Sequence, residues 1–500
     1  MKPRSLVLRV LAGLALAAFY LWSVPLASDA QLLGNDAFAY AGGLASGEFA
    51  RVLDPHHLLH HILAFGVLKL QVAASGGAEP GVAEGLLALR LVSAFGGAAC
   101  AVAVAHYSAR LAGRAAGLWL GAGFAFSAGP WLYSAVGETY LPAAAVSAWL
   151  FGELLTAANA KRAMPLFRLA AILTLACLLR QDSVLLVPGV LILAGPRLGS
   201  RAVGIAGLAS LAFYGLAHRF SGSEAGLLDW LQGLANTNLW GEGFSLSRAA
   251  VALITQQHAL HYGVRFGSGW TFLSLLTGAL LAIAALAAGG PWRRPGLTQG
   301  LLALGVTVAV RLLFFTWWQP SNTEYHTPTL VPVFLSLALV VGRSERAVHA
   351  RWSTRLGAAA AASLLLGNGA CLMQPLQTQH GQTRARTALE QAGPQGLVLA
   401  LDPYSRFALE LIAPPGARIA DGALPQARDN QAALIESMTA TLAQGEPVAL
   451  LRDVSLFPRL AFPLYPIDTE LLAGLGQLEV QTERFEQAGE PWLLVLRPKP

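Results

Sequence analysis

The sequence predicts a mainly α-helical membrane protein of many spans that ends in a soluble α/β domain. Three observations carry this. The composition is 55% hydrophobic and only 12% charged, whereas soluble domains hold about 25% charged residues. Apolar runs long enough to cross roughly 30 Å of hydrocarbon recur between Leu6 and Leu372. From Gln374 the runs become short and alternate between strand-like and helix-like patterns. The formal charge of +6 does not point to nucleic acid. Its basic residues cluster in short connections between apolar runs, the positive-inside pattern. The three cysteines, Cys100, Cys177 and Cys371, lie in apolar runs and indicate neither a disulfide nor a thiolate metal site.

The first span is expected over Leu6–Leu26, as an uncleaved span rather than a signal peptide. Lys2 and Arg4 before it, with Arg9 near its start, put the N-terminus in the cytoplasm. The loop from about Ser28 to Gly85 is then extracytoplasmic. The run His57–Ala74 is nearly long enough to cross, but it begins with histidines and contains Lys69. Charge bias decides the reading. If this run lies along the outer interface, the cytoplasmic connections carry Arg110 and Arg114; Lys161, Arg162 and Arg168; Arg197 and Arg201; Arg293 and Arg294; and Arg343 to Arg355. If it crossed, all of these would face outward.

Later spans are expected near Leu86–Tyr107, Ala115–Leu132, Tyr140–Ala158, Leu166–Leu179, Ser183–Ala194 and Ala202–Ala217. Four more follow, near Trp270–Ala288, Leu301–Phe315, Thr329–Val341 and Leu356–Leu372. The total is about eleven. Outer loops are expected at Arg219–Gly269 and Trp317–Pro328. The domain reading is 1–373 for the membrane part and 374–500 for an extracytoplasmic α/β domain. In that domain LVLALD, ARIAD, PVALLRD and PWLLVLR read as strands, and Ser405–Ile412 and Gln431–Ala443 as helices. The protein is expected in the plasma (inner) membrane.

Polar, titratable groups beside a membrane are costly unless they have a role. The opening loop holds Asp29, Asp36 and Asp54, with four histidines in six residues: His56, His57, His60 and His61. Asn35 can cap a short helix with Asp36 in its first turn, where the helix dipole favours an ionised carboxylate. The plain alternative is a good helix start. Asp54-Pro55 reads as a second start, an N-cap aspartate with proline at N1. The histidines pair at i, i+4 on a helix face. They could bind a metal, contact a phosphate or acceptor, or pack at the interface. No third metal ligand is evident, and a divalent metal stays open. Glu138 ends a span on the same face. Arg180-Gln181-Asp182 is a polar break between two apolar halves, either a salt bridge holding a turn or an arginine gripping a phosphate. Arg90 and Arg311 lie near or inside spans and need a partner or a cavity. Glu324, Tyr325 and His326 complete the polar set.

On these stretches the chain resembles the GT-C superfamily of membrane glycosyltransferases, and within it the protein O-mannosyltransferase-like branch. The stretches are GNDAFAY, DPHHLLHHIL, the arginine-led LRLVSAFGGAACAVAVAHYSARLAGR, WLYSAVGETYLPAA, CLLRQDSVLLVPG and EYHTPTLVP. The similarity runs over roughly residues 30–195, and more weakly to about 342. Pro55-His56-His57 stands where the branch has a Pro-Pro-Gly-like run, and Ala37 follows Asp36 where a second acidic residue could stand.

The resemblance implies a polyprenyl-phosphate-linked sugar donor used on the outer face, and an envelope acceptor that is protein, lipid or glycan. It makes Asp36 the catalytic base and Glu138 a second site carboxylate. Arg180, His56, His57 and His60 become contacts for the donor phosphate. Asp54, Glu324, Tyr325 and His326 become acceptor or donor contacts. Such a hexosyl- or pentosyltransferase needs no nucleotide-binding fold, and no phosphate-loop glycine pattern is present. Two other classes stay open. A transporter or flippase would line a mid-membrane path from matched halves, but the polar residues crowd one face and no repeat is found. A non-catalytic envelope assembly factor would use the α/β domain alone.

Overall fold

The computed structural model describes residues 3–26, 35–232, 243–262, 268–287, 296–342, 347–377, 380–401, 403–414, 416–422, 431–452, 480–487 and 490–499. The chain separates into two compact units, residues 1–25 with 39–376, and residues 26–38 with 377–500.

The larger unit is helical. Its elements open with α1 (Pro3–Ser23), α2 (Asn35–Ala45, whose residues 35–38 fall in the smaller unit), α3 (Phe49–Val52), α4 (Leu58–Ala74), α5 (Val82–Ala112) and α6 (Arg114–Ala125). There follow α7 (Ala128–Ala135), α8 (Tyr140–Asn159), α9 (Leu166–Leu179), α10 (Val187–Ala194), α11 (Pro196–Ser221) and α12 (Leu227–Gln232). The last are α13 (Leu246–Leu260), α14 (Ser268–Ala287), α15 (Leu297–Trp318), α16 (Thr323–His326), α17 (Leu330–Val341) and α18 (Ala347–Gln377). Short 3-10 segments fill Gln181–Leu186 and Thr327–Thr329.

The mainly helical class with a small terminal sheet is the one the sequence predicts. Among the described residues, seven helices are long and apolar enough to cross a membrane. Of the other four expected segments, Trp270–Ala288 corresponds to the 20-residue α14 (Ser268–Ala287), and the remaining three are shorter or broken. Leu166–Leu179 and Gln181–Ala194 are short apolar helices. Ala115–Leu132 is two helices, because Ser127 is extended (φ −63°, ψ 146°) between α6 and α7. Asn368 of α18 caps that break, donating 2.8 Å to the Phe126 carbonyl.

The expected outer loop 219–269 is not all loop. Ser245 accepts from the Arg248 N–H at 3.1 Å and starts α13, a cap followed by a helical run. Residues 233–242 and 263–267 lie outside the described residues.

α5 is the packing centre. It touches α1, α4, α6, α7, α8 and α17, and glycines let it approach closely. A Cβ on Gly97 would fall 1.8 Å from Ser134 Oγ, and one on Gly96 2.6 Å from Pro142 Cγ. Small residues at helix crossings of this kind replace the hydrophobic driving force that lipid cannot supply.

The smaller unit holds α19 (His380–Ala392), β1 (Leu397–Ala400), α20 (Pro403–Ile412), β2 (Arg418–Asp421), α21 (Gln431–Ala443), β3 (Val448–Leu451), β4 (Val480–Gln487) and β5 (Glu490–Pro498). The sheet order is β2-β1-β3-β5-β4. β1 is parallel to β2 and β3, while β5 is antiparallel to β3 and β4. Alternate residues face opposite sides. Val398, Ala400, Ala449 and Leu451 pack with α19 and α20 residues, while Leu397, Leu399, Val448 and Leu450 pack with Met438 and Leu442 of α21. Both faces are covered, so these strands read as unbroken apolar runs. β4 (VQTERFEQ) escapes that pattern because it is a polar, largely exposed edge strand, as edges commonly are. α19 escapes because its buried apolar stripe is made of small residues, Ala385, Ala388 and Ala392, in an otherwise polar helix.

Candidate active site

The site begins at the polar break. α9 ends at Leu179, and Arg180 is extended (φ −155°, ψ 129°) before the chain tightens into a 3-10 turn. Arg180 is 6% exposed. Its Nε donates 3.0 Å to Asp182 Oδ1, and its Nη1 donates 2.7 Å to Thr139 Oγ1. The guanidinium lies 3.7 Å over the Tyr140 ring. From α15, Arg311 reaches the other oxygen of the same carboxylate, 3.2 Å to Asp182 Oδ2. Arg311 also donates to Thr329 Oγ1 (3.1 Å) and to the Tyr325 carbonyl (3.2 Å).

Two guanidiniums therefore share one carboxylate. Burial opposes the charge on Arg180, but Asp182 outweighs it and raises the pKa above the ordinary arginine value. The salt-bridge reading of Arg180-Asp182 is thus correct as geometry.

The histidines come to this cluster through Gln181, whose Nε2 donates 3.0 Å to the Pro55 carbonyl. The sequence expectation for their helix needs correction. α4 starts at Leu58, so His56 and His57 sit in the turn before it and only His60 and His61 are helical. The reason is Asp54. Its Oδ1 accepts from the His56 N–H at 2.8 Å, an Asx turn that holds residues 54–56 out of the helix.

The His57 and His61 rings nevertheless sit 5.8 Å apart, and Tyr40 of α2 covers them at 5.6 and 4.2 Å. His56 packs on His57 at 6.3 Å. His57, His60 and His61 are buried. Among the described residues, His57 Nδ1, His60 Nδ1 and His61 Nε2 have no hydrogen-bond partner. Burial, then the Arg180 charge, then the neighbouring imidazoles push the His57 pKa well below the usual histidine range. His57 is a neutral ring with nitrogen capacity to spare. No group of three or more His, Cys, Asp or Glu among the described residues is placed to hold a metal ion.

Glu138 follows α7 and is 2% exposed. It lies, with Glu324 and Tyr325, within electrostatic reach of Tyr140. Glu324 Oε1 accepts from Asn322 Nδ2 at 2.5 Å, and His326 Nε2 is 3.2 Å from the Pro320 carbonyl. Tyr325 stacks on Phe315 (5.0 Å, 15°) and meets Tyr140 edge-on at 5.6 Å.

Asp36 lies in the first turn of α2; its side chain lies outside the described residues, as does Asp29. Arg90 is not part of the cluster: its guanidinium donates to backbone carbonyls at Ala135, Leu21 and Val24. Sequence reasoning assigned no role to Thr139, Tyr140, Thr329 and Tyr40, although all four stand in the stretches WLYSAVGETYLPAA, EYHTPTLVP and GNDAFAY.

An open apolar groove of about 460 Å³ lies between α4, α5 and α8, lined by Leu63, Val67, Val92, Phe95, Gly96 and Pro142 among others. On α4 it begins one turn after His60, and on α8 two residues after Tyr140.

The fold is shared with solved structures of a membrane protein. ArnT from Cupriavidus metallidurans bound to undecaprenyl phosphate matches with a TM-score of 0.56 at 12% identity, over 99% of this chain and 98% of that one. The apo state of the same protein matches with a TM-score of 0.54 at 13% identity, over 98% and 97%. At such identity the likeness is one of fold. No family model matches the sequence, and no curated protein matches it either.

Proposed function

We propose that this protein is a glycosyltransferase that moves a hexose or pentose from a polyprenyl-phosphate carrier to an envelope acceptor at the outer face of the plasma membrane. The observation that carries the reading is the Arg180–Asp182–Arg311 trio, two buried guanidiniums on one carboxylate near the imidazole cluster, in a bundle that also has an open apolar groove between α4, α5 and α8. A lipid phosphate has both halves of the complementary chemistry, an anion and a hydrocarbon tail. The undecaprenyl phosphate bound to ArnT, a GT-C glycosyltransferase, supports the same ligand class. The narrower kinship, with the protein O-mannosyltransferases, rests on WLYSAVGETYLPAA and its neighbours alone.

In this reading Asp36 takes the proton from an acceptor hydroxyl as its oxygen attacks the anomeric carbon. The carbon–oxygen bond to the phosphate breaks, and the departing lipid phosphate keeps the electron pair. Arg180 and ring N–H groups of His56, His57 and His60 receive that charge. Glu138 is the second site carboxylate. Glu324, Tyr325 and His326 are contacts for sugar or acceptor. Asp54 acts through the turn it holds. The N-terminus is cytoplasmic and residues 374–500 form the outer domain.

The test is Asp36→Asn in a transfer assay at saturating lipid-linked sugar, beside mass spectrometry of the lipid retained by the purified protein. Transfer should fall by about 10²-fold or more, the scale of general-base catalysis, with the retained lipid unchanged. Near-normal transfer would remove Asp36 from the mechanism, and a purified protein that neither retains nor binds a polyprenyl phosphate would overturn the reading itself.

A further inference from the structure

We infer that Arg90 and Ser93 are positioning residues for Glu138, acting on the backbone that carries it and not on its carboxylate. The inference rests on the proposed role of Glu138 in the site.

Arg90 and Ser93 stand three residues apart on α5, hence on one face, and both are buried. Arg90 Nε donates 2.9 Å to the Ala135 carbonyl, the last residue of α7. Ser93 Oγ donates to the Glu138 carbonyl and is 3.0 Å from the Leu89 carbonyl of its own helix. A third residue of the same face, Gly97, lies against Ser134 so closely that a Cβ would fall 1.8 Å from Oγ. One stripe of α5 thus grips α7 and both ends of the short segment 135–138.

Within that segment the chain turns on itself, with the Glu138 N–H donating 2.8 Å to the Val136 carbonyl. The next side chain, Thr139, accepts from Arg180. Glu138 is therefore fixed from two sides, by α5 before it and by the polar break after it.

Arg90 does more than hold Ala135. Its Nη2 also reaches the Leu21 carbonyl (3.1 Å) and the Val24 carbonyl, at the end of α1 where the first loop begins. Among the described residues no carboxylate pairs with it. Its charge is instead set at the C-terminal ends of two helices, α1 and α7, where backbone dipoles favour a cation. The planar fork is what lets one side chain serve both, which an ammonium could not do.

The test compares Ser93→Ala and Arg90→Lys with the native full-length protein in two measurements. The first needs no activity: the rate at which dicyclohexylcarbodiimide, an apolar carbodiimide, modifies Glu138, read by peptide mass spectrometry with Glu153 as internal reference. Both variants should change the Glu138 rate severalfold and leave Glu153 unchanged. An unchanged Glu138 rate in both would overturn the inference, whatever the protein transfers.

The second measurement is a double-mutant cycle on transfer. Ser93→Ala should lower kcat about tenfold in the native background but less than about twofold beside Glu138→Gln, because residues acting as a unit are not additive. Equal losses in both backgrounds would make Ser93 merely structural and overturn the inference. Loss of polyprenyl-phosphate binding by the native protein would instead strike the functional reading and leave the labelling result to decide this one.

Discussion

Arg180 is held by Asp182, Thr139 and the Tyr140 ring at once, and this shows why a lysine would be a poor replacement. An ammonium keeps the charge, but it cannot bridge Asp182 and Thr139 from a flat fork while stacking on a ring. Arg180→Lys should weaken polyprenyl-phosphate binding by about tenfold, the loss of one or two charge-assisted bonds, measured by titration in detergent. Unaltered affinity would reduce Arg180 to a turn fastener.

His57 makes a different prediction. Its pKa is depressed in the folded protein, so the unfolded chain binds the extra proton first. Stability is then full above the unfolded value of about 6.5 and falls as pH drops below it, by about 1.4 kcal/mol per unit while the folded ring stays neutral. Thermal unfolding between pH 7.5 and 5 should show such a fall, and His57→Gln should lessen its slope by about 1.4 kcal/mol per unit. A flat native profile would argue against a buried neutral ring.

Sequence alone marked Arg180, Asp182 and Arg311 as groups needing an explanation, because charge in an apolar run is conspicuous. It did not show that Arg311 uses the same carboxylate as Arg180, since 129 residues separate Arg311 from Asp182.

Among the elements, α5 carries the closest packing. Gly97→Ala would drive a methyl group into Ser134, whose Oγ and Cβ lie 1.8 and 2.7 Å from the new atom. Overpacking of this type costs about 1–3 kcal/mol. Gly66 of α4 has nothing within 4 Å of a built Cβ, so Gly66→Ala should be neutral or stabilise by up to about 1 kcal/mol. Thermal unfolding of the two variants side by side checks the contrast, and equal behaviour would contradict the packing. Sequence periodicity located most helices because hydrophobic length is a local property. It ran Ala115–Leu132 together as one span because the break at Ser127 is made by backbone geometry and by Asn368 of a distant helix. It found four strands with apolar faces and missed β4, whose exposed polar pattern gives no such signal.

At the scale of the whole molecule, the basic connections give an orientation that can be measured. A reporter fused after Lys161 should report cytoplasm and one after Gln377 the outer side, by the positive-inside rule. Opposite results would move every candidate residue to the cytoplasmic face. The buried trio has a further consequence, one for biogenesis. Arg311 must enter the bilayer within α15, and an arginine at mid-helix costs about 2.5–3.5 kcal/mol on insertion scales. Asp182 leaves the ribosome 129 residues earlier, which at about 5–20 residues per second is roughly 6–26 s. The aspartate is thus already in the membrane, holding one arginine, when the second arrives. The order of synthesis supplies the acceptor before the donor, so α15 can insert against a waiting carboxylate. In an Asp182→Asn chain, α15 would meet no such charge on its way out of the translocon.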